Sequence, residues 1–236
     1  MPAGHSPRVV SLVPSATETL AEWGLTPIAC TRYCERPDLV HVGGTKNPDI
    51  DAIIALQPDL VVMDRHENRQ PDAEALNAAG VELVVLEVDS YTDISNQMAL
   101  LASAVGVDAT VLAPVTSPVV DLAVFVPIWR RPWMTIGAHT YGSDLLASLG
   151  ARNVMADAAQ DYPEVDLDEV MSRQPDVVLV PSEPYGFSDD HLDELSVVAP
   201  CVRVDGQDLF WWGARTPHAH QRLRDVLTAV SHDLQS

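Results

Sequence analysis

Asp51-Ala-Ile-Ile-Ala-Leu-Gln-Pro-Asp-Leu-Val-Val-Met63 and Asp168-Glu-Val-Met-Ser-Arg-Gln-Pro-Asp-Val-Val-Leu-Val180 are two versions of one pattern, more than 100 residues apart. Each begins as a short helix, stops at Gln-Pro-Asp and continues as an apolar strand. The proline ends the helix because it lacks an amide hydrogen and clashes with the preceding turn. Two copies that lie more than 100 residues apart in a chain of 236 residues predict two similar lobes rather than one continuous sheet.

Around both copies, short apolar strands alternate with helices. The strand segments are 8–13, about 27–31, 60–63 and 82–87 in the first half and 124–128 and 177–180 in the second. Strands connected through helices are parallel, with right-handed crossovers. The predicted fold class is therefore α/β, with two lobes that each contain a central, mostly parallel sheet flanked by helices.

The segment between the two halves is predicted to be a connector. Residues 94–105 have a helical pattern, but Pro114 and Pro118 exclude one long, unkinked helix after them. We therefore expect an N-terminal α/β lobe at 1–92, a connector that is at least partly helical at 93–122, and a C-terminal α/β lobe at 123–236.

The charge balance disfavours some partners. There are 34 acidic and 14 basic residues, for a formal net charge of -20. Such a field repels phosphate backbones and anionic lipid surfaces. We expect no binding to nucleic acid or to membrane surfaces, although plain solubility or a salty habitat explains the same acidity.

The beginning of the chain leads directly into the first strand, without a signal-like segment. As it stands, the sequence predicts a cytoplasmic protein, or an extracytoplasmic one if a leader or anchor has been removed. Its three cysteines, Cys30, Cys34 and Cys201, are too few for a disulfide framework. A reducing compartment fits them best.

Ligands of open α/β sheets lie beyond the carboxyl ends of the strands. The loops expected there hold four of the five tryptophans, which favours an apolar ligand face in a cleft between the lobes. Sealing the junction of the lobes is the alternative role for these aromatic residues, and surface ion pairing is the alternative for the arginine. The candidate ligand-binding residues are Tyr33, Arg65, Trp133, Tyr185, Phe210 and Trp211.

Signals for metal binding and catalysis are weak. Cys30 and Cys34 lack a second cysteine pair, and the histidines lack metal-ligand spacing. Gly43-Gly44-Thr45-Lys46 lacks the spacing of a phosphate-binding loop. We predict no protein-bound metal, no cofactor and no enzyme activity.

Four motifs carry a family resemblance: Arg8-Val-Val-Ser-Leu-Val-Pro-Ser-Ala-Thr-Glu18, Val42-Gly-Gly-Thr-Lys-Asn-Pro-Asp49, Ala55-Leu-Gln-Pro-Asp-Leu-Val61 and Arg130-Arg-Pro-Trp-Met-Thr-Ile-Gly137. In these the chain resembles the helical-backbone metal receptors, which are class III substrate-binding proteins of ABC importers for cobalamin, haem and iron-siderophores.

The resemblance implies a monomeric solute-binding protein that captures a corrinoid, haem or ferric siderophore for an ABC-type importer. It places Tyr33, Trp133 and Phe210 or Trp211 at pocket positions. It also implies docking onto the importer permease through an acidic side chain on each lobe, for which the candidates are Asp72 or Glu74 and Asp190 or Glu194.

Two departures from the family keep other functions open. The connector contains prolines where the family has one long helix, and no signal or lipid anchor is evident. A cytoplasmic corrinoid or metal-chelate carrier, sensor or processing enzyme on the same fold is the main alternative. A relative that binds a protein partner instead is the other.

Overall fold

The computed structural model describes residues 6–109 and 114–235. It divides into two compact units. Of the described residues, the first unit contains 6–88, 93–109 and 212–214, and the second contains 89–92, 114–211 and 215–235. The predicted boundaries at 92 and 122 stay a prediction. Residues 1–5, 110–113 and 236 of the predicted ranges lie outside the described residues.

The first unit is built on a five-stranded sheet in the order β3-β2-β1-β6-β7, with every neighbouring pair parallel. Val10 of the central strand pairs with Ala29 on one side and Val61 on the other. The elements are β1 (Val9–Ser11), α1 (Pro14–Glu22), β2 (Ala29–Cys30), β3 (Val40–His41), β4 (Gly43–Gly44), β5 (Asn47–Pro48), α2 (Ile50–Ala55), β6 (Leu60–Asp64), α3 (Gln70–Ala78), β7 (Leu83–Leu86) and α4 (Ile94–Val105). Strands β4 and β5 form a separate antiparallel pair.

The second unit contains a four-stranded parallel sheet in the order β11-β8-β12-β13. Val124 of β8 pairs with Asn153 and Val177. The elements are β8 (Leu122–Phe125), β9 (Pro127–Trp129), β10 (Met134–Thr135), α5 (Tyr141–Ser148), β11 (Ala151–Asn153), α6 (Leu167–Ser172), β12 (Val177–Pro181), α7 (Asp189–Ser196), β13 (Cys201–Val204), α8 (Gly206–Phe210) and α9 (Thr216–Leu234).

The repeated sequence has a repeated backbone. Helices α2 and α6 both end before a glutamine in the left-handed region, Gln57 at φ 48° and Gln174 at φ 53°. A residue before proline is pushed out of the right-handed helical region, which explains why both helices stop there. The strands that follow, β6 and β12, are completely buried.

Each sheet has its own core, as a parallel sheet covered by helices requires. The first includes Val10, Val61 and Leu76, and the second includes Phe125, Val178 and Val180. The predicted fold class, two α/β units on parallel sheets, is confirmed. None of the helices within the described residues has the length and apolar character needed to cross a membrane.

Gly24 and Gly150 end equivalent helices with positive φ, and they make a matched pair for substitution. A Cβ at Gly24 has nothing within 4 Å, whereas one at Gly150 would stand 2.0 Å from the Val120 carbonyl oxygen. We expect Gly24→Ala to cost about 1 kcal/mol through left-handed strain alone. Gly150→Ala should cost about 3 kcal/mol, since steric overlap adds to that strain. Urea unfolding measures both, and equal costs would contradict this explanation.

Candidate functional site

An aromatic cluster follows the carboxyl ends of β8 and β12 in the second unit. The Tyr185 ring lies 5.1 Å from Trp129 in an edge arrangement and 4.8 Å from Phe187. Trp133 is nearly parallel to Phe187, with ring centroids 6.1 Å apart. His191, from α7, contacts both Tyr185 and Phe187. Phe187 is buried, while Trp129 is 45% exposed, so the cluster has an anchored side and an accessible side. We call these five residues the aromatic cluster.

A hairpin presents the two tryptophans. Strands β9 and β10 pair antiparallel, with Trp129 opposite Met134. The turn between them contains Arg131 at φ 70° and a cis Arg131–Pro132 peptide bond. Trp133 packs partly buried against the core of the second unit. Trp129 therefore ends a strand and Trp133 ends the turn of the same hairpin, at the sheet edge where ligands of this fold class bind.

Arg130 forms a polar rim on the cluster. Its guanidinium donates two hydrogen bonds to Glu194, at 2.9 and 2.5 Å, and lies 5.7 Å above the Trp133 ring. The paired guanidinium holds the pKa of the Glu194 carboxyl below its usual range. A bidentate pair fixes the geometry of both groups, so Arg130 limits where the Trp133 ring can move.

Phe210 and Trp211 lie at the end of α8, where the sequence was interpreted as a loop. Both are partly buried, and Arg215 lies 5.4 Å above the Trp211 ring. Arg215 also donates to the Gln207 side chain at 2.7 Å. These residues form a second aromatic group of the same unit, with a cation held against it.

Tyr33 belongs to the first unit, in the loop after β2. Its side chain is 52% exposed, and Arg32 both lies 5.1 Å above the ring and donates to the phenol oxygen at 3.2 Å. Gly44 adjoins the ring, because a Cβ there would stand 3.1 Å from a ring carbon. Tyr33 is accessible, with a cation beside it.

Arg65 also belongs to the first unit and is paired with Glu87. It lines a surface pocket of about 260 Å³, together with Arg69, whose guanidinium binds Asp72 through two hydrogen bonds. The other lining residues are Met63, Asp64, Asn68, Gln70, Ala73 and Val85. Because both arginines face carboxylates of the chain itself, the pocket is no simple anion site.

Of the six predicted residues, contacts through Phe187 bring Trp133 and Tyr185 together. Phe210 and Trp211 share a second group of that unit, while Tyr33 and Arg65 are on separate loops of the first unit. Phe187 was not predicted, although it alternates with Tyr185 after a strand, which was the available signal. Among the described residues, no group of three histidine, cysteine or acidic side chains could hold a metal.

The four acidic candidates for docking differ in availability. Asp72 is buried against Arg69, and Glu194 is bound to Arg130. Glu74 on α3 and Asp190 in the first turn of α7 are exposed. The structure therefore leaves Glu74 and Asp190 as the more accessible member of each pair.

Two α/β units with aromatic residues beyond the strand ends define a class of ligand-binding proteins with paired sheets. Residues 9–113 match the periplasmic binding protein family. The vitamin B12-binding protein of Salmonella paratyphi A is 26% identical over 192 residues, which is 74% of this chain and 72% of that protein. These matches confirm the resemblance predicted from the motifs of the chain.

Solved structures agree on the fold. The periplasmic vitamin B12 binding protein BtuF of Vibrio cholerae superimposes with a TM-score of 0.75 at 19% identity, covering 95% of this chain and 98% of its own. The periplasmic heme-binding protein RhuT of Roseiflexus sp. RS-1 also has a TM-score of 0.75, at 20% identity, covering 96% of this chain and 100% of its own. Proteins named for two different chelates therefore share this fold.

Proposed function

We propose that this chain is a solute-binding protein that captures a metal chelate of the corrinoid or haem class and delivers it to an ABC-type importer. The aromatic cluster is the observation that carries the proposal, because it offers rigid apolar surface at the strand ends with a polar Arg130 rim. Flat, bulky chelates need such surface at low entropy cost. Two similar proteins are named for binding vitamin B12 and heme, and these names support the same ligand class.

The proposal predicts stoichiometric binding without chemical change. Purified protein is titrated by calorimetry with cyanocobalamin, cobinamide, haemin and ferric siderophores, and bound ligand is then recovered and analysed by mass spectrometry. We expect one member of the panel to bind with a Kd of about 1 μM or tighter, which is about 8 kcal/mol of binding free energy. If no member of the panel binds, the proposed chelate-binding function is wrong. A chemically altered ligand would instead favour a processing enzyme.

We further infer that the protein acts outside the cytoplasm. We also infer that Glu74 and Asp190 are the residues that dock onto the importer. Both are exposed carboxylates on helices of different units. Charges at the rim of an interface mainly govern encounter and orientation, so reversing them should disrupt docking without changing the ligand pocket. The double variant Glu74→Lys, Asp190→Lys should keep the wild-type ligand Kd but fail to support uptake of labelled ligand by cells that depend on this protein. Normal uptake would exclude these two residues.

A further inference from the structure

Helix α7 supports the aromatic cluster at two positions. The His191 ring lies against Tyr185 and Phe187, with ring centroids 5.7 and 6.1 Å away. Three residues later, Glu194 accepts the two hydrogen bonds that hold the Arg130 guanidinium of the polar rim. Residues three apart in a helix are neighbours on its surface. The arrangement of the cluster therefore depends on how the first two turns of α7 are held.

A capping box fixes the start of α7. Ser188 is the N-cap residue, and its backbone amide donates to Nδ1 of the His191 ring at 3.1 Å. The reciprocal hydrogen bond runs from the His191 amide to the Ser188 side chain. The residue that reaches back in such a box is normally glutamate or glutamine. Here it is a histidine, and the ring that caps the helix is also a member of the aromatic cluster.

This hydrogen bond is possible only with a neutral ring. A backbone amide can only donate, so Nδ1 of His191 must be the acceptor and carries no proton. A protonated imidazole has N–H groups on both nitrogens and accepts no hydrogen bond. If the ring took up a proton in its present position, its Nδ1–H and the Ser188 N–H would point at each other across 3.1 Å. A protonated ring therefore has to turn away from the cap.

Carboxylates on the same helix offer acceptors to a turned ring. Glu194 lies one helical turn away, and Asp190 is exposed in the first turn. The paired Arg130 is the main reason why the pKa of the Glu194 carboxyl lies below its usual range, and the charge of His191 lowers it further. The titratable and charged groups that surround the ring, from α7 and from the elements packed against it, are Asp189, Asp190, Glu194, Tyr185, Arg130, Arg131 and Arg203.

We propose that His191 is a positioning residue of the aromatic cluster, and that protonation turns its ring away from Tyr185 and Phe187 and thereby weakens binding of the chelate. The effect on the ligand rests on the proposed function. A turned ring no longer supports Tyr185, and it competes with Arg130 for the Glu194 carboxylate. One proton therefore loosens the cluster from two directions. The ligand binds best to the neutral ring, so its affinity falls as the pH falls.

Nuclear magnetic resonance of the ligand-free protein tests the structural part. The ring signals of His191 and the amide signal of Ser188 are followed from about pH 8 to about pH 5.5, the range in which histidine side chains ordinarily take up a proton. We expect both to shift with one common midpoint. In His191→Gln the Ser188 amide signal should stay nearly constant, because glutamine is an ordinary capping-box acceptor that gains no proton. A ring that stays neutral across this range, or a Ser188 amide that does not follow it, would overturn the proposal.

Ligand titration at the same two pH values tests the effect on binding. The Kd values of cyanocobalamin and haemin are measured by calorimetry for the wild-type protein and for His191→Gln. For whichever probe binds, we expect the ratio of the Kd at the lower pH to the Kd at the higher pH to be at least about fivefold larger in the wild type, the lower end of typical coupling between sites. Titration of the ligand and of the other histidines is common to both proteins. Equal ratios would overturn the coupling.

A third protein, His191→Ala, lacks the acceptor and the ring at every pH. We expect it to bind at about pH 8 as weakly as the wild type does at about pH 5.5. Circular dichroism at both pH values confirms that each protein is folded. If His191→Ala binds like the wild type at the higher pH, His191 does not position the cluster. If no protein binds either probe at either pH, the proposed function fails, and the resonance titration still decides whether the ring turns.

Discussion

Replacing Trp133 by alanine should weaken ligand binding by about 30-fold or more, the effect of losing a contact worth about 2 kcal/mol. Trp133 combines a nearly parallel stack on Phe187 with an Arg130 guanidinium above its ring. Its position is fixed before the ligand arrives, so little ordering entropy opposes its contact with a ligand. Calorimetry with the ligand found in the panel measures the change, since tryptophan fluorescence is itself altered by the substitution.

Trp23→Ala is the matched control. Trp23 is also partly buried, but it ends α1, at the end of the helix opposite to the strand-end loops. We expect ligand affinity to stay within about twofold, which is under about 0.5 kcal/mol. If Trp133→Ala and Trp23→Ala weaken binding equally, the effect is a general loss of stability. Unchanged affinity in Trp133→Ala would give the tryptophan a packing role alone.

Much of the fold could be predicted because its signals are local. Apolar runs placed the buried strands β1, β6 and β12, and proline after Gln57 and Gln174 placed the ends of α2 and α6. The predicted helical pattern at 94–105 coincides with α4. These features depend on neighbouring residues, which sequence periodicity reports directly.

Three C-terminal helices were not predicted, for different reasons. Helix α7 is rich in acidic residues and buries only Leu195, so it lacks an apolar stripe. Helix α8 has five residues and begins with glycine. Helix α9 did carry a signal, because Ala219, Leu223 and Leu227 recur at intervals of four and are buried.

In the candidate site, the positions of the aromatic residues could be predicted from the sequence, but the ion pairs between distant residues could not. Loop position was enough to select Trp133 and Tyr185, since strand ends are where ligands bind in this fold class. The pairing of Arg130 with Glu194 spans 64 residues and depends on the packing of α7, which was not predicted. The pairing of Arg65 with Glu87 likewise depends on the register of β6 and β7. Such contacts depend on tertiary packing and have no local pattern.

Asp208→Asn should destabilise the protein by about 3 kcal/mol, the lower end of the cost of breaking a buried ion pair. Asp208 is 3% exposed and accepts hydrogen bonds of 2.6 and 2.5 Å from Arg222, with Arg215 3.6 Å away. It therefore joins α8 to α9. The neutral amide removes the negative charge that faces both guanidinium groups. Arg222 is half-exposed, so water can replace part of this interaction, whereas Arg215 is largely buried, which keeps the cost high.

Urea unfolding measures this cost, as a lower midpoint with an unchanged slope. Asp189→Asn is the control, because Asp189 pairs with Arg203 while 97% exposed, and its loss should leave the midpoint nearly unchanged. Adding Arg222→Gln to Asp208→Asn should cost little more, since residues that share one interaction are not additive. Additive costs would mean that Asp208 and Arg222 act separately. Because α8 also carries Phe210 and precedes Trp211, a loosened α8 should weaken ligand binding as well, which ties the stability of this ion pair to the proposed function.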